Sequence, residues 1–466
     1  MKMFDLVVIG AGSGGFAAAR VAAGLGKKAA LIDQGPFGGL CILKGCMPSK
    51  ILIRSSELAY LARNSTGLGI QVGDLTIDSQ RMVSRKNKII AGFADYRFQE
   101  MKSNPHITFI DGFARFRTPD EVQVGNEILR GEKFVIATGS KVRIPSLEGL
   151  KETGFITSDE ALELTRMPQS LAVIGAGTIA MELGQYFARM GVEVSILARG
   201  DTPLSWEDEE VGRTLERYFI EEGIHIYSNV KFERVSRKGD LKQIEVTVRD
   251  QPVRIEAEEI LVAAGRYTNF EGLNLDVTNV DYTFQGIGVN DEMATNDSSV
   301  FAVGDATGIY QLAHIAVYQG EIAGHNAFST EKIKADYRIV PEVIFTDPVF
   351  ARGGLTEKEA KRDGRPVLTA SYPFDDLGKA ISTGQTKGFV KMLADSVTGE
   401  ILGVEVLGAE ADLLIHEMVV AMHFRATVQQ LVKIPHFHPT LSEIFTYPAE
   451  EIASRLKGVA SPPSSA

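Results

Sequence analysis

The sequence predicts an α/β chain in which one strand–turn–helix unit occurs twice, the second copy set inside the domain begun by the first. Three observations predict it. An apolar run, a glycine-rich turn and a helix-forming run follow one another at residues 4–25, and the same order returns from residue 171. Each copy closes on a short apolar strand ending in small residues, 134–139 in the first and 260–266 in the second. A third element of this closing kind, Val300-Phe301-Ala302-Val303-Gly304-Asp305-Ala306-Thr307, stands beyond the second copy, so the first domain resumes after an interruption.

In the first copy, Phe4-Asp5-Leu6-Val7-Val8-Ile9 reads as a buried strand, Gly10-Ala11-Gly12-Ser13-Gly14-Gly15 as a tight turn, and residues 16–25 as a helix. Asp33 closes the next strand, 29–32. In this context a GxGxxG turn marks a dinucleotide-binding (Rossmann-like) unit: the glycines let a pyrophosphate reach the helix N-terminus, and the carboxylate accepts from ribose hydroxyls. Gly10, Gly12, Gly14, Gly15 and Asp33 are the candidate contacts, with Ala137, Thr138 and Gly139 closing the sheet.

Next come Cys41 and Cys46, five positions apart and the only two cysteines in 466 residues. A zinc site needs about four N/S ligands, which this pair does not supply. A single short loop would also staple little in a chain long enough to bury large cores. Two unrelated buried thiols are the plain alternative, and a reversible dithiol/disulfide is the better fit. Gly38, Gly39 and Gly45 let a bulky group approach the backbone, and Lys44 between the thiols would favour a thiolate.

The second copy runs from Leu171-Ala172-Val173-Ile174 through Gly175-Ala176-Gly177-Thr178-Ile179-Ala180 into a helix and a strand at 192–197, and Gly265 and Arg266 end its closing strand. Counting 23 residues from the first glycine gives Asp33 in the first copy, but Ala198 followed by Arg199 in the second. An acid there would repel a 2′-phosphate, whereas its loss beside an arginine suits one, so NADP(H) is expected in preference to NAD(H). The other reading of Arg199 is a solvated surface charge.

Near the C-terminus, Pro435-His436-Phe437-His438-Pro439-Thr440-Leu441-Ser442-Glu443 holds two histidines and an acid. Disulfide exchange needs an acid/base that titrates near neutral pH, as histidine does unaided. Glu443 could orient the imidazole by accepting from its other nitrogen. Thr440-x-x-Glu443 after a proline is also a capping box, and the two roles are compatible. His416 and His423, on the apolar stretch 413–424, read as core or interface residues.

Composition limits the partners. A net charge of −11 argues against nucleic acid or an anionic membrane surface. No secretory leader or transmembrane span is read, so the expected location is cytoplasmic, where a cysteine pair is more naturally catalytic than structural. No metal site is expected.

These ordered motifs together resemble the FAD-dependent pyridine nucleotide–disulfide oxidoreductases, over nearly the whole chain. The resemblance implies a split FAD domain at 1–148 and 270–338, a nicotinamide-nucleotide domain at 149–269 and a dimer-interface domain at 339–460, leaving 461–466 as a flexible tail. It implies that Asp305, after Gly304, holds the ribityl chain of FAD and that Lys50 and Glu182 form an ion pair beside the flavin. Cys46 would be the flavin-side cysteine and Cys41 the interchange thiol. His438, oriented by Glu443, would act on the other subunit's cysteines, so the active site is shared across a homodimer.

Within the family, the wording Thr440-Leu441-Ser442-Glu443 is similar to that of dihydrolipoamide dehydrogenases. With only two cysteines, the chain is not a mercuric reductase or large thioredoxin reductase of the usual form. The implied substrate is a small or protein-bound dithiol or disulfide, a lipoyl group among the candidates. An NADPH-dependent, glutathione reductase-like enzyme is the alternative, and a flavoprotein redox sensor or structural subunit is the alternative of a different class.

Overall fold

Lys2–Ile9 is the central strand of a seven-stranded sheet because Leu6 to Ile9 are apolar on both faces and lie within the core. Such a run suits a parallel strand covered on each side. It pairs in parallel with Ala29–Asp33 on one side and Glu127–Ile136 on the other. Ile107–Asp111 extends the sheet beyond Ala29–Asp33. The first half of Glu127–Ile136 meets the antiparallel pair Ala114–Thr118 and Glu121–Val124. Its last residues run parallel to Val300–Ala302, Phe134 opposite Val300. The strand at residue 300 thus completes the sheet begun at residue 2, as the interrupted order of the sequence predicts.

The helices Ser13–Gly24 and Ala313–Asn326 pack against each other backbone to backbone. A Cβ on Gly320 would stand 2.1 Å from the Gly14 carbonyl oxygen, and one on Gly324 would stand 2.6 Å from that of Ala18. Only glycine permits that approach, which holds the start of the first helix against its neighbour.

The computed structural model describes residues 1–459. The chain forms two compact units: residues 1–146, 154–168 and 261–336 in one; 147–153, 169–260 and the chain from 337 onward in the other. The stretches 154–168 and 261–269, expected with the second nucleotide domain, lie with the first unit. Backbone pairing explains this: the Val262 N–H donates to the Ile156 carbonyl at 2.8 Å, and Arg266–Thr268 pairs antiparallel with Ser140–Val142. The tail at 461–466 lies outside the described residues.

In the second unit, Ser170–Ile174, Glu193–Leu197 and His225–Tyr227 run parallel. From residue 337 the chain builds a five-stranded antiparallel sheet in the order Glu342–Ile344, Val349–Gly354, Ile401–Gly408, Phe389–Asp395, Val367–Pro373. Helices Ala411–His423 and Thr446–Val459 pack on it around Phe374, Met392, Val404, Met418 and Phe445. No helix among the described residues is long and apolar enough to cross a membrane.

One buried acid in this sheet gives a pH-dependent prediction. Burial, then the neighbouring Asp208 carboxylate, holds the Glu405 carboxyl well above the usual range against the pull of Lys391. Lys391 is already committed to Asp208 at 2.8 Å and Glu357 at 2.6 Å. Above the ordinary carboxylate range the unfolded chain gives up this proton while the folded chain keeps it. Glu405's contribution to stability is therefore full below that range and lost as pH rises through its folded value. Glu405→Gln is expected to raise the melting temperature by a few degrees, on the order of 1–2 kcal/mol, at alkaline pH and by much less near pH 5. Thermal melts across that range check it; a gain independent of pH would contradict it.

Candidate active site

The first glycine turn is held by the strands on either side of it. Gly10 adopts φ 104°, and a Cβ there would stand 2.3 Å from the Ala137 carbonyl oxygen. The Asp33 carboxylate accepts the Ala11 N–H at 2.7 Å and the Gly35 N–H at 3.0 Å, so the acid is fixed against the turn. Gly12 caps the helix Ser13–Gly24 without a side-chain hydrogen bond, leaving amide N–H groups at the helix end for an anion. A Cβ on Gly12 would meet only Gly39 Cα at 3.9 Å, so the backbone there stays approachable. Thr138 Oγ1 is buried without a hydrogen-bond partner among the described residues, a cost that a polar ligand atom would remove. An uncapped helix end, an approachable glycine and an orphan hydroxyl fit the diphosphate and sugar of a dinucleotide such as FAD.

Asp305 stands in the same unit, in the 3₁₀ turn Gly304–Thr307. The Ser140 hydroxyl donates to its carboxylate, and Arg266 donates through Nε to Ser140 Oγ at 2.8 Å and through Nη2 to the Ser140 carbonyl at 2.9 Å. Burial pushes the Asp305 carboxyl up, opposed by the Ser140 hydrogen bond and by Arg266. The expectation that Arg266 serves the second nucleotide site meets a different placement, beside Asp305. The antiparallel pairing of its strand with Ser140–Val142 puts it there.

Cys41 lies on the short helix Gly39–Leu43 and Cys46 begins the helix Cys46–Arg63. Both are thiols in the structure, Cys41 half-buried and Cys46 exposed. The hydrogen bond with Cys46, then burial, hold the Cys41 thiol well above its ordinary range, against the weaker pull of Arg97 and Lys50. Two thiols this close titrate as a pair, and a base nearby would favour the Cys41 thiolate. Lys44, expected to favour a thiolate, is engaged by a carboxylate. Its ammonium is 3.0 Å from Asp159, and the cations acting on Cys41 are Arg97 and Lys50.

The second glycine turn repeats the first with changes. Gly175 adopts φ 124° and donates its N–H to the Leu197 carbonyl at 3.0 Å. Gly177 caps the helix Thr178–Arg189 without a side-chain hydrogen bond, and Ala180 is fully buried beneath it. Ala198 is buried and Arg199 exposed. Glu182, buried on that helix, accepts the Phe345 N–H at 2.9 Å. Gly265, with φ 98°, and Lys50, on the helix from Cys46, lie in the first unit.

His438 and Glu443 meet. His438 Nδ1 is 2.9 Å from one carboxylate oxygen of Glu443, and the other oxygen accepts the Thr440 N–H at 2.7 Å. Glu443 thus performs both roles open to it, orienting the ring and receiving the turn's N–H. Thr440 Oγ1 donates instead to the Phe437 carbonyl at 2.7 Å, so only half of a capping box forms. The Thr440 N–H, then His438, hold the Glu443 carboxyl below its usual range. The imidazole itself is well exposed, at 77% of its side-chain surface. His436 is committed elsewhere, to Glu417 at 2.9 Å and the Ile434 carbonyl at 3.0 Å. Among the described residues no group of His, Cys, Asp and Glu is arranged to hold a metal ion.

Ser140, Arg97 and Asp159 act on Asp305, Cys41 and Lys44 respectively without having been legible in the sequence. Ser140 follows Gly139 directly, which is the one signal that could have found it; the others arrive by long-range pairing.

Comparison with known proteins agrees with this geometry. A family model described as pyridine nucleotide-disulphide oxidoreductase matches residues 4–320, and that family's dimerisation domain matches 340–449. The chain is 34% identical over 441 residues to a mercuric reductase of Lysinibacillus sphaericus, covering 94% of this chain and 81% of the relative. It is 34% identical over 457 residues to the dihydrolipoyl dehydrogenase of Bacillus subtilis, covering 94% and 96%. Among solved structures it resembles the Cu(II) complex of the HOCl-induced flavoprotein disulfide reductase RclA from Escherichia coli, with a TM-score of 0.87 and 26% identity over 97% of this chain and 100% of that one.

Proposed function

The chain belongs to the pyridine nucleotide–disulphide oxidoreductases, and on that premise we propose that it is an NADP(H)-linked dithiol/disulfide oxidoreductase of the dihydrolipoamide dehydrogenase kind. The observation that carries this reading is the Cys41–Cys46 pair, two thiols in hydrogen-bond contact. FAD, when bound, supplies the two-electron link between a nicotinamide nucleotide and this pair. The first glycine turn, Asp33, Thr138 and Asp305 would hold it, Lys50 would stand at its reactive end, and the second turn with Glu182 and Arg199 would hold the nucleotide.

The chain's own residues do the thiol chemistry. Cys41, deprotonated with the help of the partner subunit's His438, attacks one sulfur of a substrate disulfide. The substrate S–S bond breaks, a mixed disulfide forms on Cys41, and the departing thiolate takes its proton from the partner subunit's His438. Cys46 then attacks the Cys41 sulfur, releasing the second substrate thiol and closing the Cys41–Cys46 disulfide. Run in reverse, the same steps oxidise a dithiol. The homodimer this requires is supported by the dimerisation domain at 340–449.

The dihydrolipoyl reading is supported by the His438–Glu443 contact and by coverage of nearly the full length of dihydrolipoyl dehydrogenases. Mercuric reductases are equally similar, so Hg(II) and Cu(II) belong among the acceptors tried. Steady-state rates with dihydrolipoamide, lipoamide, glutathione disulfide and the two metal ions, each with both nucleotide pairs, test the reading. Lipoyl substrates turning over at least tenfold faster than the rest would support it, and a metal ion as the best acceptor would overturn it.

Nucleotide choice has its own test. An arginine–phosphate contact is worth roughly 1.5–3 kcal/mol, so Arg199→Glu is expected to lower kcat/KM for NADPH about 10- to 100-fold and leave NADH nearly unchanged. Equal losses for both, or none, would return Arg199 to the status of a surface charge.

A further inference from the structure

The chain has a single tryptophan, Trp206, and the chemistry above does not use it. It is 48% exposed, on the loop between the strand Glu193–Leu197 and the helix Glu209–Glu221. That loop is docked on the second glycine turn. Leu204, buried and left-handed at φ 51°, donates its N–H to the Ala176 carbonyl at 3.0 Å. A leucine held in that conformation is strained, and such strain persists only where the surroundings fix it.

The indole lands on the turn itself. A methyl group placed on Gly177 would stand 3.4 Å from Trp206 Cη2 and 3.7 Å from Cζ3. The next residue, Glu207, is a buried carboxylate 3.2 Å from Arg352, and the indole N–H draws its carboxyl downward against burial. The benzo edge of the ring borders Gly177.

Gly177 is the glycine whose missing side chain lets backbone and diphosphate come together in such a turn. A ring in van der Waals contact with that position borders the same space, and a half-exposed indole face offers a flat surface on which a heteroaromatic ring can stack. We propose that Trp206 is a nucleotide-contacting residue, its ring forming a wall over the second glycine turn and setting how tightly a nicotinamide nucleotide is held. This rests on the reading that the turn binds such a nucleotide.

A single tryptophan makes the test direct. The FAD-loaded protein is titrated with NADP⁺ and with NAD⁺, following tryptophan emission and, separately, binding heat. Emission is expected to change saturably, with the dissociation constant found by calorimetry. Trp206→Phe should bind within about twofold of the parent and lose the signal, while Trp206→Ala should bind about tenfold more weakly. Calorimetric binding with no emission change and an unaltered Trp206→Ala constant would overturn the role of Trp206 alone. No binding of either nucleotide would overturn the nucleotide reading and the proposal with it.

Discussion

Replacing Cys46 with serine is expected to lower disulfide or dithiol turnover by at least about a thousandfold. Without the second sulfur, the mixed disulfide on Cys41 has no internal thiol to resolve it, and no closed pair is available to exchange electrons. The loss is not expected to be a folding defect. Cys46 is exposed at the start of an 18-residue helix, where serine of nearly the same size removes no buried packing. The neighbouring turn keeps its own bonds, Ser49 Oγ donating to the carbonyls of Gly45 at 2.9 Å and Cys46 at 3.1 Å. Steady-state rates with the best thiol substrate, beside a thermal melt, separate the two causes. Turnover within tenfold of the parent would remove the cysteine pair from the reaction.

His438→Gln is expected to cost about 10²- to 10⁴-fold in the thiol steps, the usual worth of a positioned acid/base. Cys41 gives a reason for one, because its hydrogen bond with Cys46 and its burial hold its thiol above the ordinary range. The pH–rate profile is the discriminating readout: the parent should show an ionisation that the glutamine variant lacks. Glu443→Gln should cost less, roughly tenfold. Glutamine keeps one oxygen for His438 Nδ1 or the Thr440 N–H but cannot accept from both as the two carboxylate oxygens do. Because Glu443 is held below the usual carboxylate range in the folded protein, its ionised form helps the fold above that range and the help is lost as pH falls. An unchanged pH profile in His438→Gln would exclude it as the acid/base.

What could be read from the sequence was what local geometry demands. Gly10 and Gly175 both adopt positive φ, which bulkier residues resist, so the turns announce themselves. The Glu443 contacts span five residues and follow from one short motif. Contacts made across long stretches of chain were not legible. Lys44 reaches Asp159 across 115 positions, which turns a charge expected at the thiols into a surface ion pair. Arg266 reaches Ser140 across 126 positions by a strand pairing that no local pattern encodes. The docking of Trp206 on Gly177 depends on a left-handed leucine that no rule of turn composition predicts.

The central claim is that Cys41 and Cys46 exchange electrons as a disulfide coupled to bound FAD. Anaerobic titration of the FAD-loaded protein with dithionite, followed by flavin absorbance, counts those electrons. The parent is expected to take up about four electrons per chain, two for the flavin and two for the disulfide, and the Cys46→Ser variant about two. A parent that saturates at two electrons, indistinguishable from the variant, would contradict the account.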